Sequence, residues 1–419
     1  MILKKQHTYK PGRIDKCQIC GNKMLHDLLN LGFQPLADDL KPFKFNINET
    51  IFYPLDIKLC KKCLLAQTNY IINDKKLYPR NYHYRPGITK EIIINFKNLS
   101  KLILTKYKVD KKKDLILDVG CNDGSLLKQF KKNGCKRNLG IEPTDTIKFA
   151  KQKNIYTLQS FFNIECSKAA LKKYGKAKII VTTNVFAHTN HLYDFITSVN
   201  NLLDKKGIFI IENHYLLDVI KKTQFDTFYH EHLRTYSLHS LIKLLKYYNL
   251  HLVDAYTSSR YGGNIQAHFS KIKKRYNSNI LKILKHEKNY LQKDNNFKKF
   301  IRKIEISKLK LEKFFRENKK KIIVGKAFPA RASVILHHYS SIKENVKYIY
   351  EQPTSKKLNY YAPGTNVKIK SSLYMRKKEP DYVIILAWHL FDTIYKKWKN
   401  IFKKKVIFVK LLPKFEIKK

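Results

Sequence analysis

Four cysteines near the N-terminus form two pairs with the spacing of metal ligands. Cys17 and Cys20 make the first CxxC pair, and Cys60 and Cys63 make the second. Each pair can turn two sulfurs toward one ion, and no histidine or carboxylate takes a fourth position that would hold an activated water. Disulfides are the alternative, but a secreted framework would not leave three of the 7 cysteines over. The spacing predicts one structural Zn²⁺ held by four thiolates.

A glycine-containing turn carries a second group of polar residues. The segment LDVGCNDGS places Asp118 at the end of an apolar run, and the next run ends at Glu142, where a carboxylate can accept hydrogen bonds from ribose hydroxyls. The spacing is GxxxG and differs from the GxGxxG of NAD sites, the rival interpretation. The acidic turn favours the zwitterionic S-adenosylmethionine. The residues predicted to bind it are Asp118, Gly120, Asn122, Asp123, Gly124, Glu142 and Asn184.

The segment YHEH places four titratable side chains in a row, from Tyr229 to His232. A histidine or a tyrosinate can remove a proton next to a ketone, and a carboxylate such as Glu231 can orient a histidine. His188 ends a predicted strand, where it either caps the strand or polarises a carbonyl group. A metal site that includes His230 is the other interpretation, but HEH lacks the one-turn separation of helical zinc ligands.

Alternating apolar runs and helical patterns predict the elements that position these residues. In the middle of the chain, strands are predicted at the start of LDVG and at 138–142, 178–183 and 207–212. This alternation predicts a parallel, doubly wound α/β sheet. A long charged helical stretch at 278–320 is the best candidate for an interdomain element. A second α/β set follows it, with strands predicted at 321–325, 348–351, 381–387 and 405–411.

The formal net charge of +51 raises the possibility of nucleic-acid binding. However, the lysines are spread over almost every segment, and no helix-turn-helix, RNP or basic-zipper pattern is present. A positive field would still favour an anionic substrate such as a nucleotide sugar. The chain shows no signal-peptide core and no apolar run that could span a bilayer, so we expect a cytoplasmic protein.

Taken together, these motifs resemble the three-domain S-adenosylmethionine-dependent sugar C-methyltransferases, which act on nucleotide-linked keto-deoxysugars. The resemblance runs essentially end to end. It is carried by CxxCG with CxxC, LDVGCNDGSLL, NVFAH (184–188), FDTFYHEH (225–232), YGGN (261–264), APGT (362–365) and PDY with AWH (380–389).

The resemblance implies a class I (Rossmann-like) methyltransferase domain at 77–315, flanked by a zinc-binding domain at 1–76 and a C-terminal Rossmann-like α/β domain at 316–419. It assigns catalysis to Tyr229, Glu231, His232 and His188, and it assigns substrate binding to Tyr82 or Tyr84. Arg331, a candidate ligand of the substrate's diphosphate, stands where members of the family carry a lysine, and Arg-Pro-Gly at 85–87 replaces a serine-rich run.

We therefore expect an enzyme that deprotonates a nucleotide-linked keto-sugar next to its ketone and transfers a methyl group from S-adenosylmethionine to that carbon. One alternative is methyl transfer to oxygen or nitrogen of another small acceptor. A basic zinc-ribbon protein that binds nucleic acid is the alternative from a different class. The sequence leaves open which of Tyr229 and His232 is the base, and whether the protein is a monomer or a homo-oligomer.

Overall fold

The computed structural model describes residues 9–45, 49–78 and 85–418. Within them the chain forms three larger β-sheets and a two-stranded ribbon. No helix in the described ranges is long and apolar enough to cross a bilayer.

The N-terminal unit is a small antiparallel β-structure around the cysteine pairs. Its elements are β1 (Gly12–Arg13), β2 (His26–Pro35), β3 (Lys41–Pro42), β4 (Phe52–Cys60), β5 (Leu65–Thr68), β6 (Tyr70–Ile71) and the short helix α1 (Asp74–Leu77). Strands β2, β4 and β5 pair antiparallel, and β1 pairs with β6. The first cysteine pair follows β1, and the second forms the turn between β4 and β5, so the fold brings the two pairs together.

The central unit contains the predicted α/β sheet. Its elements are α2 (Lys90–Lys106), β7 (Leu115–Val119), α3 (Ser125–Lys132), β8 (Arg137–Ile141), α4 (Ile147–Lys151), β9 (Tyr156–Leu158), α5 (Ile164–Tyr174), β10 (Ala177–Thr183), α6 (Leu192–Leu202), β11 (Leu203–His214), α7 (Leu216–Lys221), β12 (Arg234–Thr235), α8 (Leu238–Lys246), β13 (His251–Ser258), β14 (Asn264–Ser270), α9 (Ser278–Leu291) and α10 (Asp294–Glu317).

The seven strands of the central sheet are ordered β13-β14-β11-β10-β7-β8-β9. Strands β9, β8, β7, β10 and β11 run parallel, as predicted, and helices cover both faces, so β7 is buried along its whole length. One edge of the sheet differs from this parallel arrangement, because β14 runs antiparallel to both of its neighbours. Polar residues interrupt the apolar pattern of β14, NIQAHFS, although all seven residues are buried.

The C-terminal unit is a second α/β sheet. Its elements are β15 (Ile323–Lys326), α11 (Ala332–His338), α12 (Ser341–Asn345), β16 (Tyr348–Glu351), β17 (Tyr360–Tyr361), β18 (Lys368–Ser371), α13 (Ser372–Lys377), β19 (Tyr382–Ile385), α14 (Phe391–Trp398), β20 (Ile407–Lys410) and β21 (Glu416–Lys418). Five parallel strands form its middle, in the order β20-β19-β15-β16-β18.

The charged stretch predicted at 278–320 is two helices rather than one. Helix α9 ends at Leu291 and α10 begins at Asp294. The two helices contact α8, α7 and α12, and they bury Phe300 and Leu311. The stretch predicted as an interdomain element is therefore a helical pair that packs on both α/β units.

The three units share strands. Strand β12 of the central unit extends the N-terminal sheet by pairing with β5, and β3 of the N-terminal unit forms an edge of the C-terminal sheet by pairing with β17. The domain limits predicted from the sequence, 1–76, 77–315 and 316–419, stay predictions.

Candidate active site

A cavity of about 680 Å³ opens at the carboxyl ends of β7, β8 and β10. This is the edge at which doubly wound sheets bind ligands. Five of the residues predicted to bind the cofactor line it, together with the candidate catalytic residue His188. The five are Asp118, Gly120, Asn122, Glu142 and Asn184.

The turn after β7 needs its glycines for conformation and for space. Gly120 has φ +73°, and a Cβ there would lie 2.4 Å from Val185 Cγ2. Gly124 has φ +70°, and a Cβ there would lie 2.8 Å from the Cβ of Ala150. A larger residue at either position would therefore be strained and would push the turn away from the sheet.

The two acids of the LDVGCNDG segment have different positions. Asp118 lines the cavity, whereas Asp123 lies beneath it and accepts backbone hydrogen bonds from Gly87 (3.1 Å) and Ser125 (3.2 Å). Lys153 Nζ lies 3.4 Å from the same Asp123 carboxylate. Asp123 and Gly124 therefore shape the turn from below, and the structure does not bring them to the cavity wall.

Glu142 is fixed at the end of β8 with its carboxylate on the cavity. Its Oε2 accepts the backbone N–H of Asn122 at 3.1 Å, and its Oε1 accepts the backbone N–H (3.0 Å) and hydroxyl (2.6 Å) of Thr144. Burial raises the pKa of Glu142, and these hydrogen bonds oppose that shift. The carboxylate keeps a fixed orientation in which further lone pairs can accept the hydroxyls of a ribose.

At the cavity, the buried polar atoms Asp118 Oδ1 and Asn184 Nδ2 have no hydrogen-bond partner among the described residues. Burial, followed by the charges of Glu142 and Asp123, raises the pKa of Asp118 well above its usual value, while Arg260 lowers it. Unpartnered buried polar atoms are rare in folded proteins, so these two atoms fit a polar ligand. An ammonium group near Asp118, as in S-adenosylmethionine, would suit this arrangement.

Next to the cavity, the predicted catalytic residues form a packed cluster of rings. The His188 and His232 rings lie 4.9 Å apart, and Tyr229 lies 4.0 Å from His232. The ring of His214, at the end of β11, also lies 4.9 Å from the His232 ring, measured between the ring centroids. Glu231 is buried beside them, and its carbonyl oxygen accepts the hydroxyl of Tyr78 at 3.4 Å.

The hydrogen bonds of this cluster indicate protonation states. His232 Nδ1 lies 2.7 Å from the carbonyl oxygen of Thr227, which can only accept, so Nδ1 carries the proton and Nε2 has the lone pair. Burial and the neighbouring His214 and His188 lower the pKa of His232 well below its usual value. Burial raises the pKa of Tyr229 well above its usual value. His232 is therefore a neutral imidazole and Tyr229 a neutral phenol at pH 7.

His188 shares a hydrogen bond with a tyrosine that the sequence did not single out. The Tyr78 hydroxyl lies 2.6 Å from His188 Nδ1, and both side chains line the cavity. Burial, together with the charge of Arg234, lowers the pKa of His188 to about 4. His188 is thus also neutral, and it has a defined partner.

The remaining predicted residues lie elsewhere. Tyr82 and Tyr84 fall outside the described residues. Arg331 is buried between the central and C-terminal units, where its guanidinium contacts both oxygens of Asp226, at 2.6 Å and 2.7 Å. His230 points to the N-terminal unit and donates to the carbonyl oxygen of Pro54 at 3.3 Å. Its assignment to a metal site with Glu231 and His232 gains no support, because the four cysteines are the potential metal-binding group found in the described residues.

The sequence assigned no site role to four residues of the site, although the last of them begins the YGGN motif: Tyr78, His214, Arg260 and Tyr261. Tyr78, Arg260 and Tyr261 line the cavity, and His214 contacts His232. His214 could have been found, because it ends a buried strand at the ligand-binding edge of the sheet. The Gly262-Gly263 pair belongs to the turn from β13 to β14, which carries Arg260 and Tyr261.

In the N-terminal unit, the four cysteine sulfurs form a compact cluster. Cys17 and Cys63 Sγ lie 3.5 Å apart, Cys20 and Cys60 Sγ lie 3.6 Å apart, and all four lie within 4.8 Å of one another. Ligands about 2.3 Å from a tetrahedral Zn²⁺ would be separated by about 3.8 Å. These distances are far longer than a disulfide bond, and the arrangement fits one zinc ion.

Three family models match consecutive parts of the chain. The model described as "Putative zinc binding domain" matches residues 17–78. A model described as "Methyltransferase domain" matches 93–255, and one described as "C-methyltransferase C-terminal domain" matches 259–413. Their order is that of the three structural units.

A curated relative matches nearly the whole chain. The C-methyltransferase NovU of Streptomyces niveus is 24% identical over 406 residues, which cover 96% of this chain and 96% of the relative. Two solved structures each match less than half of this chain. A magnesium protoporphyrin IX methyltransferase of Synechocystis PCC 6803 is 14% identical and covers 49% of this chain and 100% of its own, with a TM-score of 0.36. An S-adenosylmethionine-dependent methyltransferase of Clostridium acetobutylicum is 13% identical, with a TM-score of 0.34. The match covers 42% of this chain and 91% of that protein.

The family models and the end-to-end relative agree with the geometry of the two sites. The central unit has the Rossmann-like methyltransferase fold, with the cavity at the expected edge of the sheet. The cofactor is S-adenosylmethionine, and the cysteine cluster belongs to a zinc-binding domain. The chain is therefore an S-adenosylmethionine-dependent methyltransferase whose parts match, in order, the zinc-binding, methyltransferase and C-methyltransferase C-terminal family models.

Proposed function

We propose that the acceptor is a nucleotide-linked keto-deoxysugar and that the methylated atom is a carbon next to its ketone. The observation that carries the carbon methylation is the geometry of His232, a buried imidazole whose Nδ1 lies 2.7 Å from the Thr227 carbonyl oxygen, so that Nε2 bears the lone pair. Methylation of carbon requires removal of a carbon-bound proton, and a neutral histidine is suited to this task. Methyl transfer to an oxygen or nitrogen that already has a lone pair does not require carbon deprotonation.

In this proposal His232 is the base and Tyr229 is a hydrogen-bond donor. His232 Nε2 takes the proton from the carbon next to the ketone, and the electron pair moves onto the ketone oxygen. The high pKa of Tyr229 keeps its phenol protonated, so it can donate to the oxygen as negative charge develops. The carbonyl of Thr227 holds His232 in the required tautomer throughout.

His188 and Glu231 complete the proposed catalytic unit. Neutral His188 lines the cavity, and its ring packs against that of His232. His188 can donate from Nε2 to the same oxygen when the Tyr78 hydroxyl donates to His188 Nδ1, at 2.6 Å, instead of to the Glu231 carbonyl. Glu231 is buried in the same segment. We assign its carboxylate the role of orienting the imidazoles. S-adenosylmethionine supplies an electrophilic methyl group on its sulfonium, and the deprotonated carbon of the acceptor accepts that group.

Charge supports an acceptor that carries phosphate. The net charge is +51, and Lys356 of the C-terminal unit reaches the central unit, where its Nζ lies 5.8 Å from the Phe149 ring centroid. A nucleotide diphosphate would find cations between the two units. On the basis of the resemblance, we assign Tyr82 or Tyr84 to binding of the sugar. Arg331 could bind the diphosphate only by giving up part of its ion pair with Asp226.

Hydrogen exchange separates carbon methylation from the alternative. In D₂O, with S-adenosylhomocysteine in place of the methyl donor, the wild-type protein should exchange the proton next to the ketone of a nucleotide keto-sugar. His232→Ala should lose this exchange and should lose methyl transfer by about 100- to 10,000-fold, the usual contribution of a general base. Transfer to oxygen or nitrogen with no exchange in the wild type would overturn the proposal.

The matched control for this experiment is His230→Gln. His230 belongs to the same four-residue segment but bonds to Pro54, and a glutamine amide can keep that hydrogen bond. It should retain exchange and methyl transfer. A double substitution at His188 and His232 should be little worse than the worse single one, because residues that act as one unit are not additive. Additive losses would remove His188 from the unit.

A further inference from the structure

The cavity at the carboxyl ends of β7, β8 and β10 contains a buried cation. Among the described lining residues, Asp118, Glu142 and Asp194 are acids, and Lys10 and Arg260 are the lysine and arginine side chains. Lys10 is exposed, whereas the Arg260 side chain is only 7% exposed. A buried guanidinium at a ligand cavity carries a high desolvation cost unless it is paired, so its surroundings indicate what it can bind.

A network below the cavity holds Arg260 in place. Its Nη1 donates to Glu212 Oε1 at 2.8 Å. The other oxygen of Glu212 accepts Gln266 Nε2 at 3.0 Å. The guanidinium also lies 4.9 Å from the ring centroids of Phe96 and Tyr261. The ion pair and the two rings fix the position of Arg260.

The order of the strands places Arg260 relative to the parts of the cofactor. Glu142, the proposed ribose ligand, ends β8; Asp118 follows on β7, then comes β10, and Glu212 lies on β11. Arg260 therefore lies on the side of Asp118 away from Glu142. Its charge acts on Asp118, whose burial-raised pKa it lowers. The cofactor's amino-acid end, extending from the ribose past Asp118, would lead toward Arg260.

We propose that Arg260 binds the carboxylate of the methionine part of S-adenosylmethionine, while Asp118 binds its ammonium group. Arginine suits a carboxylate because its planar N–H donors match the two oxygens. Glu212 neutralises the guanidinium at short range, so the site does not repel the cationic sulfonium. The product S-adenosylhomocysteine keeps the same carboxylate and should bind in the same way.

This arrangement makes a specific prediction about cofactor analogues. S-adenosylhomocysteine contains the carboxylate, whereas 5′-methylthioadenosine contains the adenine, ribose and sulfur but lacks the amino-acid part. Arg260 should therefore contribute to the affinity for the first compound and leave the second almost unaffected.

Calorimetric titration of the full-length protein tests this. Arg260→Met approximately keeps the length of the side chain. It should weaken the affinity for S-adenosylhomocysteine by about 10- to 100-fold, the range for a charge-assisted hydrogen bond. The affinity for 5′-methylthioadenosine should stay within about twofold. Lys10→Met removes the exposed cation of the same cavity and should change neither affinity.

A combined variant protects the test against misfolding. Arg260→Met leaves Glu212 buried without its cation, so the double variant Glu212→Gln with Arg260→Met should be titrated as well, and it should show the same selective loss. If the affinities for both compounds fall by the same factor in the double variant, Arg260 only supports the cavity wall and the proposal is wrong. Unchanged S-adenosylhomocysteine affinity in either folded variant also overturns it.

Discussion

The cysteine cluster is the smallest feature that makes a measurable prediction. Four Sγ atoms from two turns lie close together, so each sulfur can supply one of the four ligands of a single ion. They belong to Cys17, Cys20, Cys60 and Cys63. We expect one zinc per chain, and we expect Cys60→Ser to lose it, because structural zinc sites require all of their ligands. Metal analysis by mass spectrometry checks this. Cys135→Ser, which alters a buried cysteine outside the cluster, should keep its zinc; full zinc content in Cys60→Ser would disprove the assignment.

At Glu142 the prediction concerns cofactor affinity. Glu142→Ala removes the acceptor proposed for the ribose hydroxyls and also frees the Asn122 N–H, so S-adenosylmethionine binding should weaken by about 1–3 kcal/mol. The matched control is Asp145→Ala, an exposed acid in the loop that follows the same strand. Calorimetry that shows equal affinity for Glu142→Ala and the wild type would remove Glu142 from the site.

The residues of the site that the sequence predicts are those in contiguous motifs. LDVGCNDG and YHEH display polar groups within a few positions, so their chemistry can be inferred without a fold. Tyr78 and His214 lie 110 and 18 residues from the catalytic groups that they contact, His188 and His232. Nothing local distinguishes such residues from packing residues, because their role arises only when the strands are assembled.

The loop that carries the proposed base is held by elements of the C-terminal unit. The 3₁₀ turn Phe225–Thr227 precedes α8 and contains Asp226, which is fully buried. Asp226 accepts Arg331, from the start of α11, and the indole N–H of Trp388 at 2.8 Å. Arg331 Nη2 also donates to the hydroxyl of Thr227, the residue whose carbonyl holds His232. The C-terminal unit thus positions His232 across the domain boundary.

This contact predicts the behaviour of Arg331→Met. Removal of one partner of a buried ion pair costs about 3–5 kcal/mol of stability, so the free energy of unfolding should fall by that order. kcat should also fall while S-adenosylmethionine affinity stays unchanged, because the loop and not the cofactor cavity is disturbed. Urea unfolding and steady-state kinetics measure both quantities.

The double variant Asp226→Asn with Arg331→Met supplies the control, because it removes both charges and should recover part of the stability. A role of Arg331 in binding the acceptor's diphosphate predicts a different result: a raised KM for the acceptor with little loss of stability. The two roles of Arg331 can therefore be separated experimentally.

Across the whole molecule, buried histidines link stability to pH. Burial lowers the pKa values of His188, His230, His337 and His338 to about 4 and those of His268 and His389 to about 3, from an ordinary 6.5. Below pH 6.5 the unfolded chain binds protons that the folded protein does not. Above pH 6.5 these histidines therefore do not reduce the free energy of unfolding. As the pH falls from 6.5 toward 4, the free energy of unfolding decreases by up to about 1.4 kcal/mol per pH unit for each histidine.

The variant His337→Gln isolates this effect from acid-induced loss of zinc. The histidine donates Nε2–H to the carbonyl oxygen of Pro363 at 2.9 Å, and a glutamine amide can make the same bond without titrating. Urea unfolding at pH 7 and pH 5 should show a smaller loss of stability for the variant than for the wild type. An equal loss in both proteins would contradict the titration of His337.

At this scale the sequence predicts the two α/β sheets but not how the units are joined. The parallel strands are continuous apolar runs such as LILDV, which are recognisable because both faces are buried. Strands β3, β12 and β17 have two residues each and carry no periodic pattern. Their pairing depends on partners far along the chain, so local composition does not indicate it.

The pairing of β3 with β17 has a consequence for the order of folding during synthesis. Pro42 lies opposite Tyr360, and Lys357 bonds to Asp38 at 3.0 Å across a separation of 319 residues. At translation rates of about 5–20 residues per second, the ribosome adds that length in roughly 15–60 s. Strand β3, which is synthesised early, therefore stays unpaired until β17, near the end of the chain, has been synthesised. A nascent chain arrested before Tyr360 exposes an unpaired strand that a full-length chain conceals.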